Sequence, residues 1–188
     1  MLLPAKKKRW RRFLLFDYSE ITVSEKWKFI GKIMALNALF VPILAAISYY
    51  IYGKKIGPIL AYPSFFLPLN KFHVFFQSSV FEAAVLEEMT YRLWVWLFAA
   101  NLVTITIRNK NCSPVFLWLA IIIPTVVWAA SIHPIVPPVL FAGLTWGWLV
   151  AKTRSLWPAV VSHGLSNAAI YLVIKIVNII APQFIKNL

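Results

Sequence analysis

The stretch FEAAVLEEMTYRLW, residues 81–94, decides how this chain is read. It sets Glu82, Glu87, Glu88 and Arg92 into an otherwise apolar segment. Those three glutamates are half of the six acids in the protein; the other three, Asp17, Glu20 and Glu25, precede the first long apolar run. The surroundings make the cluster unusual. The chain has 188 residues, 61% hydrophobic and 13% charged, with a mean hydropathy of +0.74. A soluble domain of this size shows more polar surface to water, so the composition reads as a polytopic membrane protein. A charge at the centre of a bilayer costs roughly 2.5–3.5 kcal/mol on insertion scales, so charges kept there are paired or functional.

Working outward, the helix that carries the acids runs over 72–107 and stops at Arg108 and Lys110. Upstream, residues 57–70 (GPILAYPSFFLPLN) hold three prolines, too short and broken for an ordinary span, and read as a re-entrant or interfacial segment. Before them a first span covers 27–52. Downstream, spans are expected over 114–132, 138–151 and 155–181, punctuated by His133-Pro134, Pro137-Pro138, Lys152 with Arg154, and Pro182. The expected fold is therefore all-α, a polytopic membrane bundle of about five transmembrane helices plus the short re-entrant or interfacial segment. Three regions result: a basic cytoplasmic or interfacial segment 1–26, the first transmembrane helix with its broken segment 27–71, and a core 72–182. Gly143 and Gly147 form a small-xxx-small pair, suited to close helix packing or a coincidence of two glycines.

The net charge of +13 raises nucleic acid as a partner, but the distribution argues for lipid. Lys6, Lys7, Lys8, Arg9, Arg11 and Arg12 crowd the N-terminus, and most other cations flank apolar runs. With the N-terminus in the cytoplasm, the basic runs 6–12, 108–110 and 152–154 share that side, as the positive-inside rule requires. Cys112 is the single cysteine, so it forms no internal disulfide and joins no metal-ligand cluster. The N-terminal apolar stretch, Phe13–Ile21, is too short and too soon interrupted by acids for a cleaved signal peptide.

The polar residues inside the apolar runs each have a plain reading beside a chemical one. Glu88 and Arg92 are four apart on one helix face and can neutralise each other; Glu87 has no such partner in its segment. His163 and Asn167 repeat the spacing on the last span, where His and Asn often hydrogen-bond between helices. His133 closes its helix before Pro134, a place where loop histidines are common. Glu82 reads as interfacial, and His73, near the start of its helix with nothing polar to match, carries no chemical reading. Counting about 20 residues from the Arg108–Lys110 turn puts Glu88 and His133 level, each at roughly 30 Å, whereas His163 lies only about 13 Å beyond the Lys152–Arg154 turn.

In this setting EEMTYR resembles the EExxxR signature of the CAAX-protease and bacteriocin-processing (CPBP, or Abi) family of intramembrane proteases. SLWPAVVSHGLSNA is similar to its last motif, HxxxN after a Ser-Leu-Trp/Pro helix start, and WAASIH stands where the family carries FxxxH. The middle motif departs from the pattern: four residues before His133 stands Ala129, and the aromatic, Trp128, is one place off. The resemblance spans about residues 75–178. It implies proteolysis within the membrane, near the terminus or anchor of a membrane-associated protein or peptide, by a glutamate-activated water. In those terms Glu87 is the general base and His133 helps hold the water. His163 and Asn167 stabilise the oxyanion, and Glu88 with Arg92 orients the others. It also implies action without a metal cofactor, and a home in a prokaryotic plasma membrane. The residue types agree, since a carboxylate in a low-dielectric site is a stronger base and donors aimed at an oxyanion are usually the largest catalytic contribution. Two acids and two histidines can alternatively ligate zinc.

Two other functions compete. A non-catalytic immunity or scaffold protein has no need to retain Glu87, Glu88, His133, His163 and Asn167 together. A proton-coupled transporter also buries Glu and His, but such folds are commonly built on repeats, and none is detectable here.

Overall fold

A computed structural model describes residues 21–52, 67–93, 95–96, 114–131 and 137–180. Residues 1–20 of the expected basic segment 1–26, residues 57–66 of the expected re-entrant or interfacial segment 57–70, residues 97–107 of the expected helix 72–107 with Arg108 and Lys110 after it, Cys112 and His133 lie outside the described residues. Every element described is helical, with no strand among the described residues. Helix α1 is Val23–Tyr52. A broken helix follows, built from a 3₁₀ turn Leu69–Lys71, α2 (Phe72–Phe75), a π stretch Phe76–Glu82, α3 (Ala83–Glu87) and a second π stretch Glu88–Arg92. Then come α4 (Pro114–Ser131), α5 (Pro137–Thr153) and α6 (Trp157–Ile180).

The boundaries follow local chemistry. Helix α1 starts four residues before its apolar run because Thr22 and Glu25 form a capping box. Thr22 N donates to Glu25 Oε2 at 2.9 Å, and Glu25 N donates to Thr22 Oγ1 at 3.2 Å. Helices α4 and α5 each open on a proline, whose missing N–H has no partner in a first turn anyway. Helix α5 ends in a sharp corner where Arg154 takes a left-handed φ of 50°. That strained backbone is held from the side by Trp96, whose Nε1 donates to Arg154 O at 3.2 Å.

Large apolar side chains face outward in stripes. Leu39, Ile43, Ile47 and Ile51 recur every fourth residue on α1, and Leu172, Ile176 and Ile180 do so on α6. Two helices, over Val23–Ile51 and Trp157–Ile180, are long and apolar enough to cross a membrane, and Leu117–Ser131 is a shorter apolar one. Inside, Ile30, Ile33, Val95, Ile121, Leu149 and Val150 belong to one buried core shared by α1, the broken helix, α4 and α5. Helix α1 runs antiparallel along α5, with Phe29 against Trp148, Phe40 against Phe141, and Thr145 Oγ1 donating to Asn37 Oδ1 at 3.1 Å.

The glycine pair has a packing reason. A Cβ on Gly143 would lie 2.7 Å from Thr125 Cγ2 and 2.9 Å from Trp128 Cζ3, and one on Gly147 would lie 2.8 Å from Ile121 Cγ2. All three neighbours are on α4, so α4 and α5 approach more closely than side chains permit.

Candidate active site

The site lies where α6 leans against the broken helix, in an antiparallel seam one residue deep per turn. Tyr171 stacks on Phe75, with centroids 4.1 Å apart, and donates its hydroxyl to Leu67 O at 3.1 Å. One turn earlier on α6, Asn167 Nδ2 donates to Ser79 O at 2.7 Å, inside the first π stretch. Near Gly164 the backbones almost touch, since a Cβ there would sit 2.6 Å from Val80 O. At the next turn His163 meets the acids. Widened i→i+5 turns of this kind recur at functional sites, and the second π stretch begins at Glu88 itself.

His163 bridges two neighbouring carboxylates. Its Nδ1 lies 3.0 Å from Glu88 Oε1 and its Nε2 lies 3.9 Å from Glu87 Oε2. Glu88 and Arg92 are both 1% exposed, and Arg92 Nε stands 3.6 Å from Glu88 Oε2, one turn along the helix. The side chain of Glu87 is the accessible one, at 13%. Pairing alone therefore accounts for Glu88 and Arg92, while Glu87 is left facing the imidazole.

Two tryptophans complete the enclosure, neither of which sequence reasoning assigned to the site. Trp128 of α4 donates its Nε1–H to Glu87 Oε2 at 2.8 Å, and the Arg92 guanidinium lies 5.1 Å from its ring centroid. Trp146 of α5 stacks on His163, with centroids 4.0 Å apart and planes 17° from parallel. The signals available were the displaced aromatic of the middle motif, Trp128, and the position of Trp146 between the two packing glycines.

Glu87, Glu88, Arg92 and His163 thus come together. Asn167 stands one turn away with its amide engaged on Ser79 O. His133 is outside the described residues, two positions past the end of α4. Glu82 is exposed and accepts from Gln77 Nε2 at 3.0 Å, and His73 is exposed as well, so neither joins the cluster. The expected depth of His163, about 13 Å beyond the turn at Arg154, is compatible with its contact to Glu88. The corner of α5 and α6 is level with Trp96. Glu88 lies eight residues before Trp96 and His163 nine after Arg154. Both then stand about 12–14 Å from that level, as their contact demands.

Adjacent carboxylates facing the two nitrogens of one buried imidazole make an arrangement suited to proton transfer, and here apolar helices wrap it. Residues 69–169, which hold all of these side chains, match the family described as type II CAAX prenyl endopeptidase Rce1-like, across 101 of the chain's 188 residues. The chain belongs to this family, a branch of the CPBP proteases. Family and apolar helices together point to an integral membrane protein with endopeptidase activity on a membrane-associated protein substrate. No curated protein and no solved structure is significantly similar to the chain.

Proposed function

We propose that the protein is an intramembrane endopeptidase in which Glu87 activates the attacking water. The observation that carries this reading is the 3.9 Å separation of His163 Nε2 and Glu87 Oε2. That distance is too long for a direct hydrogen bond and suits one water touching both atoms. In the tautomer where Glu88 accepts from Nδ1–H, the Nε2 lone pair of neutral imidazole faces that water, so His163 here holds the water in place of the oxyanion role that the resemblance implies. Glu87 takes a proton from the water as its oxygen bonds to the scissile carbonyl carbon. The carbonyl oxygen becomes an oxyanion, and the C–N bond breaks as the proton passes from Glu87 to the leaving amine. Glu88 and Arg92 hold the imidazole and do not touch substrate.

The roles of His133 and Asn167 rest on the resemblance. His133 would help hold the water. Asn167 Nδ2 has a second N–H beyond the one given to Ser79 O, and this would donate to the oxyanion. The substrate is a membrane-associated protein or peptide cut near its terminus: a prenylated CAAX-like tail, a leader peptide or a sorting-signal tail. The reading includes a prokaryotic plasma membrane, from the resemblance, and a cytoplasmic N-terminus, supported by the basic runs 6–12, 108–110 and 152–154. It also includes action without metal. Glu88 Oε1 and His163 Nδ1 face each other, and the Arg92 cation beside Glu88 would repel a divalent ion.

Purified protein in lipid vesicles with a fluorogenic prenylated CAAX peptide tests the reading. Comparison of peptide termini in membranes with and without the protein covers the other substrates. Glu87→Gln and His163→Ala should each abolish cleavage while leaving the folded yield largely intact. Processing that persists in the purified double variant would sink the proposal.

A further inference from the structure

The reaction as proposed asks Glu87 to hold one orientation, which a donor at hydrogen-bond distance can enforce. Arg92 is engaged with Glu88, and the imidazole nitrogen is 3.9 Å away. A third helix supplies the constraint. Trp128 of α4, 3% exposed, reaches Glu87 Oε2 with its indole N–H at 2.8 Å, the distance of a charge-assisted bond.

The indole ring is itself held on several sides. Its face takes the Arg92 guanidinium at 5.1 Å. It packs edge-on against Trp146 (5.8 Å, 65°) and against His163 (6.3 Å, 80°). The Gly143 backbone lies so near that a Cβ there would come within 2.9 Å of Trp128 Cζ3. A donor locked on four sides is pre-organised, so it fixes its acceptor without moving at the moment of reaction. Any buried tryptophan tends to find an acceptor for its N–H. What separates this one is that its acceptor is the carboxylate nearest His163 Nε2, and that its ring also touches the partner of Glu88.

We propose that Trp128 is a positioning residue for Glu87. Its N–H pins Oε2 and stops rotation of the carboxylate, so the water bridging to His163 meets an oxygen of fixed direction. The inference rests on Glu87 being the general base. It also gives a reason for the aromatic standing five places before His133 in this chain: the offset residue carries a donor, which phenylalanine lacks.

The test removes the N–H and keeps the ring. Trp128 is replaced by its benzothiophene isostere, in which sulfur takes the place of the N–H, with Trp128→Phe as a second variant. On a fluorogenic prenylated CAAX peptide in vesicles, the isostere should lower kcat by about 10- to 100-fold with KM within about twofold. A merely structural indole predicts an isostere with the kcat of the native protein, and that result overturns the proposal. An infrared difference spectrum gives a readout without substrate. Subtracting Glu87→Gln from the native spectrum isolates the Glu87 carboxylate stretches, which should shift in the isostere; unshifted bands also overturn the proposal. If those bands shift but the native protein cleaves no peptide, the positioning contact stands and the proteolytic reading fails instead.

Discussion

Removing Glu88 should destabilise the protein far more than removing Glu88 and Arg92 together. Both side chains are 1% exposed, and none of the three Arg92 nitrogens makes a hydrogen bond among the described residues. The cation is compensated by the Glu88 carboxylate at 3.6 Å and by the face of Trp128. Glu88→Leu therefore leaves a buried guanidinium facing an aliphatic group, which costs about 3–5 kcal/mol. It also strips His163 Nδ1 of its acceptor at 3.0 Å, a loss of about 1–3 kcal/mol that is partly contained in the first figure. In Glu88→Leu/Arg92→Met the stranded charge is gone and only the histidine term and small packing differences persist. The double variant should recover about 2 kcal/mol relative to Glu88→Leu alone, roughly a thirtyfold change in the folding equilibrium. Reversible unfolding in mixed micelles, run as a double-mutant cycle, measures this coupling directly. A double variant no more stable than Glu88→Leu would refute the reasoning, because it would mean the Arg92 charge was never held by Glu88.

Three further outcomes are expected. Gly143→Ala forces a methyl toward Thr125, Trp128 and Arg92 at 2.7–3.0 Å, so it should cost about 1–3 kcal/mol and lower activity, whereas Gly31→Ala, with nothing within 4 Å, should stabilise α1 by up to about 1 kcal/mol; thermal unfolding in micelles ranks the pair. Thr22→Ala removes half of the capping box and should raise hydrogen exchange in the first turn of α1, at a cost of about 1 kcal/mol, without changing peptide cleavage. Peptide cleavage should survive exhaustive chelation, and loss that zinc restores would make the acids and histidines metal ligands instead.

Much of this fold was legible because prolines and charges punctuate an apolar chain. The expected spans 114–132, 138–151 and 155–181 fall within a few residues of α4, α5 and α6. The meeting of Glu87, Glu88, Arg92 and His163 was legible too, since ionisable groups in apolar helices have few places to go. Other features left no such trace. The π stretches change which residues share a face without altering composition, so nothing marked Ser79 O as the acceptor for Asn167. Trp128 and Trp146 are ordinary core residues by hydropathy, and only coordinates show that one donates to an acid and the other stacks on the imidazole. The level of Glu88 relative to His163 left no trace either, because it is marked by an indole bound to a carbonyl, Trp96 to Arg154.

The corner at Arg154 therefore governs the phase of the last helix. One residue more or fewer between Thr153 and Trp157 would turn α6 by about 100° and slide it by about 1.5 Å. Each helix would stay whole, yet His163 would swing off both acids and Tyr171 off Phe75. Length drift in this chain is thus unequal in consequence: a three-residue bend, remote from the chemistry, works as the key that decides whether the halves of the lock align.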